Sequence, residues 1–142
     1  MHALILLFGL ASLSVQAADS VAITRDPGYP SPGSDAIATR LVIARDSDAH
    51  TKQAAATDKF LASVRKVLAE GPVPDACCTR ATDAPFVEID ISLDGKTYEL
   101  TMTSGGAGLV MSIDPNPEER RVADVMERLL RLSEEWKKDS GH

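Results

Sequence analysis

Cysteine, histidine and aromatic residues are scarce in this chain of 142 residues, which holds two cysteines, three histidines and six residues of Phe, Tyr or Trp. The two cysteines, Cys77 and Cys78, are neighbours in the sequence and cannot link distant parts of the fold. A CxxC redox motif and a four-ligand zinc site are excluded, because the chain lacks the spacing and the ligands that they need.

The adjacent cysteines have three possible states in an oxidising compartment. Disulfides prefer Cα atoms about 4.4–6.8 Å apart, whereas neighbouring residues of a trans chain lie ~3.8 Å apart. A bond between Cys77 and Cys78 would therefore close a tight vicinal ring. In the second state the cysteines bond to another chain, and in the third they are two buried thiols. Cys77 and Cys78 together are the candidate redox site.

Residues suited to nucleophilic or general-base catalysis are few. His142 is the last residue and His50 lies at the start of a predicted helix, where a solvated side chain is typical. The glycine-rich run from Ser104 to Gly108 is expected to join two strands, unlike a phosphate-binding loop, which precedes a helix. We therefore expect no catalytic residue, no cofactor and no metal site.

The charge of the chain is negative, with a formal net charge of −6 at pH 7. This charge disfavours nucleic acid and anionic membrane surfaces as partners and favours a basic protein surface.

The first residues form an apolar run from Ala3 to Val15 that ends in Val15-Gln16-Ala17, a small-x-small pattern typical of signal-peptidase cleavage. The run is too short for a membrane span, which takes ~20 apolar residues. We predict a signal peptide at residues 1–17 and a single domain at residues 18–142, periplasmic or secreted. The alternative is that the run is an N-terminal core strand or helix.

Periodicity and turn residues predict the elements of the domain. Apolar spacings of three and four residues indicate helices, and alternation indicates strands. The predicted strands are 20–25, expected at a sheet edge, 38–44, 86–93, 96–103 and 109–113. The predicted helices run from about Ala49 to Glu70 and from Asn116 to about Lys138. Asn116 as N-cap, Pro117 and Glu119 form a capping-box pattern. We expect loops at 26–35 and 71–85.

The clearest element is a hairpin around Asp94-Gly95, a dipeptide that favours a type I′ turn. The turn fixes the register and pairs Leu93 with Lys96 and Asp90 with Glu99. Under this register seven apolar residues of the two runs fall on one face: Val87, Ile89, Ile91, Leu93, Tyr98, Leu100 and Met102. The fold class is therefore α+β: an antiparallel sheet, in the order β-β-α-β-β-β-α, with two amphipathic helices packed on one face.

Two surface features are candidates for binding a partner. Asp90 opposite Glu99, flanked by Glu88, places like charges across two strands, which costs stability. This face could be merely solvated, a docking patch for a basic protein, or a cation site. Tyr29, in a Pro/Gly loop, and Phe86, beside the acidic face, are candidate interface anchors. For Tyr29 the alternative is that its loop folds back and buries it.

The leading hypothesis is a non-enzymatic exported binding protein that occludes a basic toxin or hydrolase. The general layout of the domain is similar to that of bacterial envelope inhibitors and immunity proteins. This similarity is an analogy of layout only. The second hypothesis is a redox- or metal-responsive envelope protein that uses Cys77 and Cys78. The third is a hydrolase with a carboxylate site at Glu88, Asp90 and Glu99, which predicts a raised carboxyl pKa in a pocket.

Overall fold

The computed structural model describes residues 18–29, 37–45, 52–78, 81, 83–106 and 108–142. The predicted signal peptide at residues 1–17, His50 and the predicted start of the first helix at Ala49 lie outside the described residues. The elements in chain order are β1 (Ser20–Asp26), β2 (Thr39–Ala44), α1 (Lys52–Ala69), β3 (Ala76–Cys77), β4 (Phe86–Leu93), β5 (Lys96–Gly105), β6 (Gly108–Val110) and α2 (Pro117–Ser140).

The β4–β5 hairpin has the predicted register. Leu93 is paired with Lys96 and Asp90 with Glu99, and the ladder continues to Phe86 and Thr103. Asp94 and Gly95 have φ values of 53° and 79°, as a type I′ turn requires at both central residues. Side chains on β4 alternate strictly between buried and half-buried positions. The prediction of one apolar face is therefore confirmed.

The α+β class is confirmed, with a correction to the strand order. The sheet runs β2-β1-β4-β5, and both β3 and β6 pair with β5. The strand predicted at an edge, β1, lies inside the sheet between β2 and β4. Its residues Val21, Ala22 and Ile23 are all buried. Alternation over so few residues does not reveal how many neighbours a strand has, and this is why the prediction was wrong.

The sheet is mixed because β3 pairs with β5 in parallel, with Ala76 beside Glu99 and Cys77 beside Leu100. The segment 71–85 was predicted as a loop, and β3 is an addition to that prediction. A strand of two residues is too short to show a period, so the sequence carries no signal for it.

Both helices pack on the apolar face of the sheet. The predicted stripes of α1 and α2 form one core with the buried residues of β1, β2, β4 and β5. The helices also contact each other through a hydrogen bond from Trp136 Nε1 on α2 to Thr57 Oγ1 on α1, 3.0 Å long and buried. The other face of the sheet is left for polar side chains.

The start of α2 shows the half of the predicted capping box in which Asn116 caps the helix, whereas the carboxylate of Glu119 bonds to Ser112. The side chain of Asn116 accepts a hydrogen bond from the backbone N–H of Glu119 at 2.8 Å, and Gly141 ends the helix with φ 78°. The carboxylate of Glu119 also accepts a bond from the backbone N–H of Ser112 at 2.7 Å. This bond uses the N–H that a longer β6 would need, and β6 ends at Val110 rather than at the predicted Ile113.

Neither helix in the described part of the chain has the length and the apolar character that crossing a bilayer would demand.

Candidate functional site

Three carboxylates lie together on the face of the sheet opposite the helices. Glu88 and Asp90 project from β4 and Glu99 from β5, and a carboxylate oxygen of each lies within 4.8 Å of the others. We call these three residues the acidic cluster. They meet because Asp90 is paired with Glu99, and because Glu88 lies two residues from Asp90 on the same strand face.

The cluster stays partly open to solvent because its neighbours on β1 are small. Asp90 is paired with Ala22 and Glu88 with Thr24. Glu99 is exposed, whereas Glu88 and Asp90 are half-buried. A groove of about 400 Å³ runs beside the cluster, and Asp75 borders it together with Asp90 and Glu99.

One arginine partly compensates the charge of the cluster. Arg40, from β2, places its Nη1 3.8 Å from Oδ2 of Asp90 and also donates to Thr24 Oγ1 at 3.2 Å. Among the residues that the structure describes, no other cation lies within 4.0 Å of the three carboxylates. Three carboxylates therefore face one guanidinium.

Partial burial, with a smaller contribution from the neighbouring carboxylates, raises the pKa of two of the carboxyl groups. Burial is the main reason that the pKa of Glu88 lies above its ordinary value, followed by the charge of Asp90 and by hydrogen bonding to Glu99. Burial also raises the pKa of Asp90, and the attraction of Arg40 works against this shift. Both shifts mean that the ionised form is destabilised, so a cation brought to the cluster would relieve it.

The three carboxylates of the cluster suit a cationic side chain better than a metal ion. Ionised carboxylates only accept hydrogen bonds, and a guanidinium presents five N–H donors that match them. Calcium takes six to eight oxygen ligands, whereas the cluster brings together one carboxylate oxygen from each of three residues. The arrangement is thus able to hold an arginine or lysine side chain of a partner.

The hydrolase hypothesis stays a prediction. It requires a raised carboxyl pKa, and Glu88 and Asp90 have one. Partial burial, together with the neighbouring like charges, accounts for these shifts. They therefore do not distinguish a catalytic acid from a binding surface.

The two predicted aromatic anchors lie near each other in the fold, at one end of the sheet. The side chain of Tyr29 is 76% exposed, so the alternative that its loop buries it is wrong. Its backbone N–H donates to the carbonyl of Asp83 at 3.1 Å. Gly28, with φ +80°, allows this approach, since a Cβ there would lie 2.7 Å from the same carbonyl oxygen.

Phe86, the first residue of β4, is half-buried. It lines a separate cleft of about 650 Å³ between the sheet end and α2, with Leu109 and Leu130 among the other walls. Phe86 lies two residues before Glu88 on the same strand. The cleft and the acidic cluster are therefore linked through β4.

Cys77 and Cys78 are joined by a disulfide. Of the three possible states of this pair, the structure shows the vicinal ring. Both residues are half-buried and pack against the core. The ring lies at the sheet edge formed by β3, beside the strand that carries Glu99.

Two contributors to the site were missed from the sequence. Arg40 reaches the cluster because β2 pairs with β1 and not with the hairpin, and Asp75 reaches the groove because β3 pairs with β5. Both depend on contacts between segments far apart in the chain. The only available signal was the alternation of the polar Arg40 with the apolar Leu41. It indicated that Arg40 lies on the polar face of a strand, but it did not indicate which strand lies beside it.

Comparison of the chain with protein-family models, with curated proteins and with solved structures finds no match. Any statement about function therefore depends on the chemistry of the acidic cluster, the anchors and the disulfide.

Proposed function

We propose that this protein is a non-enzymatic exported binding protein that docks its acidic cluster on a basic surface of a partner protein. The partner is a basic toxin or hydrolase, which the protein inhibits by occlusion in the periplasm or outside the cell. The observation that carries the proposal is the unbalanced charge of the cluster, where Arg40 is the one cation set against three carboxylates among the residues that the structure describes.

An unbalanced cluster of this kind costs stability in the free protein. Like charges directly across two strands are destabilising by a few tenths of a kcal/mol or more. A lysine or arginine from a partner would turn this repulsion into attraction and satisfy the acceptors that Arg40 leaves free. The formal net charge of −6 would speed the encounter with a basic surface, especially at low ionic strength.

The aromatic anchors supply the apolar part of the same interface. Tyrosine provides a large contact area at a low cost in conformational entropy, and Tyr29 is exposed. Phe86 borders the cleft of about 650 Å³, which has room for an apolar side chain of a partner. Tyrosine is enriched among the residues that dominate binding energy at interfaces.

The test is charge reversal with a matched control. Asp90→Lys/Glu99→Lys is compared with Glu118→Lys/Glu135→Lys, which makes the same change of charge on α2, away from the sheet face. Each protein is immobilised and exposed to envelope extract, captured proteins are identified, and the activity of each captured hydrolase or toxin is measured with and without the native protein. We expect the cluster variant alone to lose a basic partner whose activity the native protein suppresses.

Equal capture by the native protein and the cluster variant would contradict the proposal. So would capture of partners whose activity is unchanged by the native protein. Circular dichroism and urea unfolding of both double variants identify any loss of capture that comes from misfolding.

Export is part of the proposal and has its own measurement. Cleavage after Ala17 would leave Ala18 as the first residue of the mature protein, and an N-terminal peptide beginning at Ala18 should be found in the periplasm or the medium. A mature protein that retains residues 1–17 would refute the export step.

The vicinal disulfide favours a second candidate, a redox- or metal-responsive envelope protein. Cys77 and Cys78 form the ring at a half-exposed sheet edge, where a thiol reductant has access to it. Intact-mass measurement after alkylation, with and without reductant, decides between the states. A pair that stays as two inert thiols, unmodified both with and without reductant, would remove this candidate.

A further inference from the structure

The vicinal disulfide belongs to a segment that is attached directly beside the acidic cluster. The backbone N–H of Glu99 donates to the carbonyl of Asp75 at 2.7 Å, and the N–H of Cys78 donates to the carbonyl of Thr101 at 2.9 Å. These two bonds lie on either side of β3 and, with the pairing of Ala76 and Cys77, hold it to β5. Asp75 also borders the groove of the cluster, so the segment 75–78 forms one wall of the proposed binding site.

The ring determines where β3 ends. In a regular strand, neighbouring side chains point to opposite faces of the sheet. A disulfide between Cys77 and Cys78 holds both side chains on one side, which a regular strand cannot accommodate. The observed strand indeed ends at Cys77, although Cys78 still makes its bond to Thr101.

We propose that the Cys77–Cys78 disulfide is a reducible clasp that holds the segment 75–78 against β5 and thereby sets the affinity of the acidic cluster for cationic side chains. This inference rests on the proposed function and names its regulation. The oxidised protein is the form that binds, and reduction weakens binding by releasing Asp75 and the backbone of Glu99.

The chemical step is thiol–disulfide exchange with a dithiol reductant. A thiolate of the reductant attacks one Sγ and forms a mixed disulfide, and the second thiol of the reductant then displaces the protein sulfur. The S–S bond of the protein breaks and one forms in the reductant. Two electrons and two protons pass to the protein, which ends with free thiols at Cys77 and Cys78.

Two features make β3 sensitive to this step. Ordering a residue costs backbone entropy, and the ring removes part of that freedom from two residues before they pair with β5. The attachment is also short, because it consists of the pairing of Ala76 and Cys77 with β5 and the two flanking hydrogen bonds. Opening the ring therefore shifts the equilibrium of the segment 75–78 from the form attached to β5 towards the detached form. Packing of Cys77 and Cys78 against the core limits the effect, so we expect loosening rather than unfolding.

The experiment uses the whole chain in both redox states. Hydrogen exchange is followed by mass spectrometry with fragmentation that resolves the amide of Glu99. Binding of a tri-arginine peptide is measured by calorimetry before and after reduction by dithiothreitol and after reoxidation. We expect faster exchange at Glu99 and about five-fold weaker binding on reduction, both reversed by reoxidation. A Cys77→Ser/Cys78→Ser variant should have the exchange rate and the peptide affinity of the reduced protein. Adding the reductant should change neither.

Four results would count against the inference in different ways. Unchanged exchange at Glu99 on reduction would overturn the clasp, whatever the peptide does. Faster exchange with unchanged peptide binding would overturn the regulation. Equal effects at an amide in the middle of α2 would show general destabilisation instead of a local release. Absence of peptide binding in either redox state would refute the proposed function, and the regulation with it, while exchange at Glu99 still reports on the clasp itself.

Discussion

Replacing Glu88 by glutamine removes one negative charge from the acidic cluster and keeps the shape of the side chain. The new amide is able to donate a hydrogen bond to Glu99, which the ionised carboxylate of Glu88 cannot do. If like-charge crowding destabilises this face of the sheet, Glu88→Gln should make the protein more stable at neutral pH.

The expected gain follows from the geometry. Two unit charges at 4.8 Å repel each other by about 0.9 kcal/mol in a medium as polar as water. Glu88 has two such neighbours, Asp90 and Glu99, and the attraction to Arg40 offsets part of the repulsion. Cross-strand side-chain pairs change stability by about 0.2–1 kcal/mol, and like charges act in the destabilising direction. We therefore expect Glu88→Gln to raise the free energy of unfolding by about 0.5–1 kcal/mol at pH 7.

The gain should depend on pH in a definite direction. The pKa of Glu88 is raised in the folded protein, so the folded chain binds this proton more tightly than the unfolded chain. The native protein then loses stability as the pH rises from the ordinary glutamate value through the raised pKa. The advantage of the variant is complete above that window and disappears below about pH 4, where the native carboxyl group is protonated in both states.

Urea unfolding of the native protein and the variant at a series of pH values measures this difference. Glu118→Gln is the control, because it makes the same chemical change in the first turn of α2. There a carboxylate is stabilised by the helix dipole, so its removal should lower stability slightly. A Glu88→Gln variant that is less stable than the native protein at pH 7, or whose gain persists at low pH, would refute the crowding argument.

Three further predictions concern the scaffold and are tested by urea unfolding. Trp136→Phe removes the buried hydrogen bond to Thr57 and should cost about 1–3 kcal/mol; a smaller loss would mean that the hydroxyl finds another partner. Gly28→Ala should cost at least ~1 kcal/mol more than Gly95→Ala, because both glycines have positive φ but only Gly28 is crowded by backbone atoms. Asn116→Ala should cost about 1 kcal/mol through loss of the N-cap, and an unchanged midpoint would contradict that role.

The sequence is sufficient to predict features that depend on neighbouring residues. The turn at Asp94-Gly95 fixes the pairing of Asp90 with Glu99 because both strands continue directly from it. Asn116 is recognisable as an N-cap because its partner is three residues away. Local chemistry was therefore enough for the hairpin, for the face that carries the cluster and for the start of α2.

The sequence is insufficient where the partner lies far along the chain. The place of β1 inside the sheet, the contact of Arg40 with Asp90 and the parallel pairing of β3 with β5 all depend on long-range packing. Nothing in the residues around Cys77 indicates a strand, since two residues show no period. The acidic cluster was thus predicted without its counter-ion and without the disulfide segment at its side.

Within the acidic cluster, substitutions that increase the stability of the protein should weaken its binding to a cationic ligand. This inverse relation distinguishes a docking surface from a face that is merely solvated. If Glu88 and Glu99 bind a partner, replacing either by its neutral amide should raise the free energy of unfolding. The same substitution should weaken binding of the cationic ligand. A solvated face that only keeps sheets apart would gain stability on neutralisation without any loss of binding. Asp90→Asn should depart from the trend in stability, because it also breaks the ion pair with Arg40. Measuring both quantities for the three glutamine or asparagine variants, at low and high salt, tests the opposition, since screening should shrink both effects together.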